Sequence, residues 1–426
     1  MFLLTLAIIV KLGWVAATNS LPAPLVVTSE KNVIACFWES YLYPNFTSED
    51  IEANLCNHIV YGTAKLNATT WELTHDNVTI DIDLEGFKNI SDMKKLDPNL
   101  KVEIGAWSLQ NRAWETPGEY FEMISSETSR KTFVESVVTF VTENNFDGFH
   151  LQWGNPKCSE VDLDKKKHNL TDLVGELRAS LHRKNKTLSL SMWALLSTNI
   201  DRNFETEKIY KQADLVFINA FHYFGNWFQK TGGFAPIYPG NSSLPYQRPD
   251  DQYLNVDESW QHLMRRKASP RKTVLVISPK GSGFKLKNVS DTGFEAPSFE
   301  LDAPSIGDQP KFNEICSLKG WVKGWDEDRK IPFMYKGDEW ASYEDENSVE
   351  AKVDYANKQG FAGVAINNLY YDDFAGRCDQ SNKFPLLRLI NKKLNGKVLK
   401  NAGIVLHVYR SLLLLLLLTI LSVIII

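Results

Sequence analysis

A chain of 426 residues with 43% hydrophobic and 12% aromatic content can bury a large core, as one barrel-sized domain or as two or three smaller ones. Its formal net charge of −5 and pI near 6 give no basic footprint, which speaks against a nucleic-acid partner. His58, His150, His168 and His222 lack metal-ligand spacing and no Gly-rich phosphate loop precedes a helix, so neither a metal nor a cofactor is expected.

In chain order, the apolar run Phe2–Val10 and the small residues Val15-Ala16-Ala17 read as a secretory signal over residues 1–17, although Lys11 interrupts the run. Eight Asn-x-Ser/Thr sequons agree with a secretory route to the extracellular side: Asn45, Asn67, Asn77, Asn89, Asn169, Asn185, Asn241 and Asn288. In an oxidising compartment, the five cysteines imply two bridges and a leftover thiol, and four cysteines alone allow three pairings.

Short β-rich runs recur through the chain. They are Asn32–Trp38, His58–Gly62, Leu100–Trp107, Gly148–Trp153, Thr187–Ala194, Leu215–Ala220, Thr273–Ser278 and Phe361–Asn367. Amphipathic stretches lie between them. The spacing of Phe133, Val137, Val138 and Val141 predicts a helix over about 130–143, and another is expected over Leu170–Lys184, after a solvated loop at Lys165-Lys166-Lys167. Eight strands alternating with helices predict an α/β fold, a parallel (β/α)8 TIM barrel. The spacing breaks once, between the seventh and eighth strands, where aromatic and charged residues fill a gap too long for one helix and two loops. A small α+β insertion domain is placed there, at 283–347. It divides a barrel that runs over 22–282 and resumes over 348–393.

The C-terminal end is apolar from Leu412 to Ile426 apart from Thr419 and Ser422, shorter than the roughly 20 residues that span a bilayer core. Upstream stand Asn401-Ala402-Gly403 and the spacer Ile404–Ser411. Small residues, a spacer and a terminal apolar tail form the pattern of a glycolipid (GPI) anchor signal, here 402–426. The alternative is a lipid-embedded tail helix, and either reading holds the protein at the cell surface.

The stretch Asp147-Gly148-Phe149-His150-Leu151-Gln152-Trp153-Gly154 resembles the fourth-strand D-G-x-D-x-D-W-E of the family 18 glycoside hydrolases, the chitinases and chitinase-like proteins. Asp147 and Trp153 fit, while His150, Gln152 and Gly154 stand where that pattern has acids. Further phrases follow in family order. Glu103-Ile104-Gly105-Ala106-Trp107 resembles S-x-G-G-W, Phe221-His222-Tyr223-Phe224 resembles M-x-Y-D, and Lys280-Gly281-Ser282 stands at Y-G-R. Asn313-Glu314-Ile315-Cys316, Ile331–Tyr335, Glu339–Asp345 and Asp372–Cys378 also look like the family's. Asn367 stands at its sugar-stacking Trp.

The resemblance implies a TIM barrel and the pairings Cys36–Cys56 and Cys316–Cys378. Cys158 is then left as a buried free thiol or as one partner of an intermolecular bridge. It also implies the family's hydrolysis of β-1,4-linked N-acetylglucosamine, in which a Glu protonates the leaving oxygen and an Asp two residues earlier orients the substrate acetamide. Period-two spacing puts both on one face of one strand, and here they are Gly154 and Gln152. The expectation is a catalytically inactive chitinase-like protein, a binding or growth-factor-like signalling module similar to the imaginal disc growth factors. A second reading is a lectin for chito-oligosaccharide or another glycan, using Trp107, Trp114, Tyr223 and Asn367. A third is an enzyme with a relocated acid, Asp147 or Glu160. A cell-surface protein is the other expected partner.

Overall fold

A computed structural model describes residues 32–106, 116, 118–154, 162–194, 197–240 and 254–396. Its strands are β1 (Val33–Glu39), β2 (His58–Leu66), β3 (Leu73–His75), β4 (Lys101–Ala106), β5 (Gly148–Trp153), β6 (Thr187–Trp193) and β7 (Leu215–Asn219). After these come β8 (Thr273–Ile277), β9 (Gly281–Lys285), β10 (Val322–Asp326), β11 (Ile331–Lys336), β12 (Glu339–Tyr343) and β13 (Gly363–Ile366). Eight of them pair in parallel in the order β1-β13-β8-β7-β6-β5-β4-β2, and β1 also pairs with β2. The sheet therefore closes on itself and the barrel expected from the strand spacing is present.

Strand alternation sets two layers. Along β1, Ile34, Cys36 and Trp38 pack outward against the surrounding helices, whereas Ala35 and Phe37 pack inward with Val60, Phe217, Val274, Val276 and Ala365. The outward layer includes Phe133, Val137 and Val141 of the helix Glu127–Glu143, whose N-cap Ser126 accepts the Ser129 N–H. At the closing seam β13 lies so near β1 that a Cβ on Gly363 would sit 1.9 Å from the Val33 carbonyl oxygen, which only glycine allows.

The insertion forms a four-stranded antiparallel sheet in the order β10-β11-β12-β9, so its sheet begins at Gly281 and ends at Tyr343 against an expected 283–347. Two other details differ from the sequence reading. The three-residue β3, antiparallel to β2, is too short to carry a periodic signal. Lys165–Lys167 belong to the helix Leu163–His182 rather than to a loop. No Gly or Pro lies among the first twelve residues of that helix, and Lys167 Nζ reaches the Asp201 carbonyl at 3.1 Å while Lys166 lies over the Phe121 ring. Disulfides join Cys36 to Cys56 and Cys316 to Cys378. Among the described residues no helix is long and apolar enough to cross a membrane; both chain ends and Cys158 lie outside them.

Candidate functional site

In a (β/α)8 barrel the C-terminal strand ends form the mouth where ligands and chemistry are found. On β5 the inward side chains are His150 and Gln152, with Gly154 following in phase, while Phe149, Leu151 and Trp153 face the helices. His150 is fully buried. Its Nδ1 lies 2.7 Å from Ser189 Oγ and its Nε2 2.9 Å from Ser191 Oγ, both on β6. Phe37 and Phe217 meet its ring edge-on at 5.3 and 5.1 Å.

Beneath it sits Glu103 of β4, also fully buried. Its carboxylate accepts the hydroxyls of Ser189 and Thr187, the latter at 2.6 Å, and lies 3.2 Å from His58 Nε2. Gly148 makes room for this arrangement: a Cβ there would lie 2.1 Å from Thr187 Oγ1 and 2.8 Å from Glu103 Oε1. Burial pushes the His150 imidazole down to about 4. Burial pushes the Glu103 carboxyl up, but the charges and hydrogen bonds of His58, His150 and Ser189 outweigh it and hold the group below the usual carboxylate range. The place of the expected inner acid is thus taken by a neutral ring fixed at both nitrogens.

Above this network the barrel interior is aromatic. Trp193 and Phe221 contact at 5.3 Å and Phe221 stacks on Phe234 at 6.0 Å. Trp193 Nε1 and Asn219 Oδ1, on residues paired across β6 and β7, are buried with no hydrogen-bond partner among the described residues. Gln152 is half-buried and the Gly154 N–H donates to Thr116 Oγ1 at 2.8 Å.

The other expected site residues fall in different places. Asp147 precedes β5 at the far end of the barrel, where its Oδ2 accepts the Val102 N–H at 2.9 Å and meets Lys94 Nζ at 3.2 Å. It cannot serve as a relocated acid in the mouth. Tyr223, expected to touch a ligand, is 3% exposed and its hydroxyl pairs with Ser259 Oγ at 2.8 Å, in the helix Val256–Arg265. It packs in the outer layer, because the chain beyond β7 no longer keeps strand alternation; His222 there has φ 63°. Asn367 is half-buried at the end of β13, its N–H bonded to the Ile277 carbonyl at 2.8 Å. Trp107, Trp114, Glu160 and the sequon at Asn241 lie outside the described residues. Of the remaining sequons, Asn45, Asn67, Asn77, Asn89, Asn185 and Asn288 are exposed. Asn169 is 9% exposed, in the helix Leu163–His182, and is the least accessible of the described sequons.

A second polar cluster lies in the mouth, and of its members the sequence reading had marked only Lys280, at the Y-G-R position. Glu39 follows Ala35 and Phe37 in phase, so it points inward at the end of β1; its Oε2 accepts the Asn368 Nδ2–H at 2.9 Å. The Tyr41 and Tyr371 hydroxyls lie 3.2 Å apart, and Lys280 Nζ stands 4.3 Å from the centroid of the Tyr371 ring. Burial raises the Glu39 carboxyl and lowers the Lys280 ammonium from their ordinary values. The period-two continuation of β1 was the signal that could have found Glu39. Nothing in the sequence marks Tyr41, Tyr371 or Asn368 as its neighbours.

The chain is 27% identical over 405 residues to the endochitinase of Manduca sexta, covering 88% of this chain and 69% of that one. The Group IV chitinase of Ostrinia furnacalis superposes with a TM-score of 0.78 at 23% identity, covering 85% of this chain and all of that one. Human YKL-39, a pseudo-chitinase with retained chitooligosaccharide binding properties, superposes with a TM-score of 0.75 at 24% identity, covering 86% of this chain and all of that one. The family description "Glycosyl hydrolases family 18" matches residues 33–372, and with the closed parallel barrel this places the chain in that family.

Proposed function

We propose that this chain is a chitinase-like protein that binds a glycan at the cell surface and does not hydrolyse it. One observation carries the reading: the inward positions of β5 hold His150, Gln152 and, in phase, Gly154, with no carboxylate among them. Losing a general acid alone costs roughly 10²–10⁴ in rate. Here the residue that would orient an acetamide is also an amide, which cannot stabilise developing positive charge as a carboxylate does. YKL-39 is the precedent for a family barrel that keeps chitooligosaccharide binding as a pseudo-chitinase.

The aromatic filling at Trp193, Phe221 and Phe234 supports a second reading, in which the partner is a cell-surface protein and the barrel acts as a growth-factor-like module. The secretory signal, the sequons and the anchor-like tail belong to both readings. Calorimetric titration of the ectodomain with chito-oligosaccharides, alongside a hydrolysis assay, tests them. Binding without turnover supports the lectin, no binding at millimolar sugar favours the protein partner, and turnover by a preparation free of host chitinase overturns both.

A further inference from the structure

The cluster at the ends of β1, β8 and β13 leaves a cation open. The deeply buried Lys352 meets Glu344 at 3.0 Å, and Lys311, next to the mouth, meets Glu314 at 2.7 Å. Lys280 is half-buried, yet among the described residues no carboxylate oxygen lies within 4.0 Å of its Nζ and no acceptor takes its three N–H donors. What holds it is the Tyr371 ring at 4.3 Å. Glu39, Asp308 and Glu314 act on it only through space, with Lys311 opposing them; Glu39 is already engaged by Asn368 and Glu314 by Lys311. A partly desolvated ammonium without an ion-pair partner is costly, and an incoming anion that accepts its donors relieves that cost. Beside it Tyr41 is 47% exposed, a ring face of the kind sugars stack on, and its hydroxyl sits 3.2 Å from that of Tyr371.

We propose that the mouth selects an acidic glycan, with a uronic-acid carboxylate paired to Lys280 and its sugar ring against Tyr41. The inference rests on the glycan-binding reading above and names its ligand class. Lys280 stands where the family pattern has a Tyr, so this chain carries a charge at a position that the pattern leaves neutral.

The test is calorimetry of the glycosylated ectodomain with three probes: an oligosaccharide alternating glucuronate and N-acetylglucosamine, the same oligosaccharide with its carboxyls reduced to alcohols, and chitopentaose. The acidic probe should bind about tenfold tighter than its reduced form, as expected for one charge-assisted hydrogen bond. Lys280→Met, which keeps the stem over Tyr371, should bring that ratio to about one, and Lys280→Arg should keep most of it. Glu39→Gln should tighten the acidic probe by removing a facing carboxyl. Equal affinities for the acidic and reduced probes, or a ratio untouched by Lys280→Met, overturn the inference while leaving glycan binding intact. Failure of all three probes to bind overturns the inference together with the reading it rests on.

Discussion

Two polar clusters share the inward face of one barrel, and they are built on opposite terms. In the lower one, Thr187, Glu103, Ser189, His150 and Ser191 hydrogen-bond in one chain, with His58 Nε2 3.2 Å from the Glu103 carboxylate and Phe37 and Phe217 packed against the His150 ring. In the upper one, Glu39, Tyr41, Tyr371 and Asn368 are hydrogen-bonded, while among the described residues the Lys280 ammonium has the Tyr371 ring but no ion-pair or hydrogen-bond partner. A buried network whose members bond chiefly to one another specifies a core. One that leaves a charge open near solvent has the makeup of a recognition site. Having a polar residue inside a barrel therefore says little about function until its partners are counted.

The largest expected effect tests whether the lower cluster is structural. Glu103→Ala leaves His58 and two hydroxyls facing an empty carboxylate site and should lower stability by about 3–5 kcal/mol in guanidinium unfolding, the scale of a broken buried pair. A loss below about 1 kcal/mol would mean that the network is not coupled.

Acid comes next, and here the clusters respond with opposite sign. His150 is held neutral well below the unfolded imidazole, so the unfolded chain takes up protons first and stability falls as pH drops from about 6.5 towards 4. The lowered Glu103 adds to the loss as pH falls further through its folded value. Glu39 is raised, so its contribution is fullest at low pH and is lost as pH rises from its unfolded value through its folded one. His150→Phe should remove the part of the acid loss between pH 6.5 and 4, amounting to roughly 3 kcal/mol, and Glu39→Gln should leave that part unchanged. Urea midpoints at several pH values separate the two; a parallel shift of both variants would break the comparison.

Smaller effects sharpen it. Tyr223→Phe removes one buried hydrogen bond to Ser259 and should cost about 1 kcal/mol of stability, with glycan binding unaltered. A change in glycan affinity at constant stability would return Tyr223 to the mouth. The smallest effect is expected from Gly154→Glu: restoring one acid above His150 and Gln152 should yield no measurable chito-oligosaccharide turnover, because the residue that orients the acetamide is still absent.

The barrel was legible because its signals are periodic. Eight apolar bursts separated by amphipathic stretches need no partner to be read, and period two along β5 puts Gln152 and Gly154 on one face. What the sequence withheld depends on distance across the fold. Thr187 and Ser189 lie more than eighty residues from Glu103, yet hydrogen-bond to it across the barrel. Lys280 lost a family Tyr at the point where the chain leaves β8, but only the folded mouth shows Tyr371 beneath it. Tyr223 matched a motif letter and was read as facing ligand. The left-handed backbone at His222 interrupts the alternation on which that inference relied. Sequons likewise report chemistry without burial: Asn169 reads like the other seven, and only the fold shows how little of it is exposed.

The seam between β1 and β13 has a consequence for synthesis. The first barrel strand to leave the ribosome pairs on one side with β2 and on the other with the last, so its second edge cannot be covered until Gly363–Ile366 have been made. Throughout translation the nascent chain carries an open row of backbone donors and acceptors at that edge, a template for pairing with other chains. A stop codon directly ahead of Gly363 would leave β1 and β8 bare at once. Such a truncation removes only one short strand and its following helix, and its expected fate is aggregation rather than a smaller working barrel.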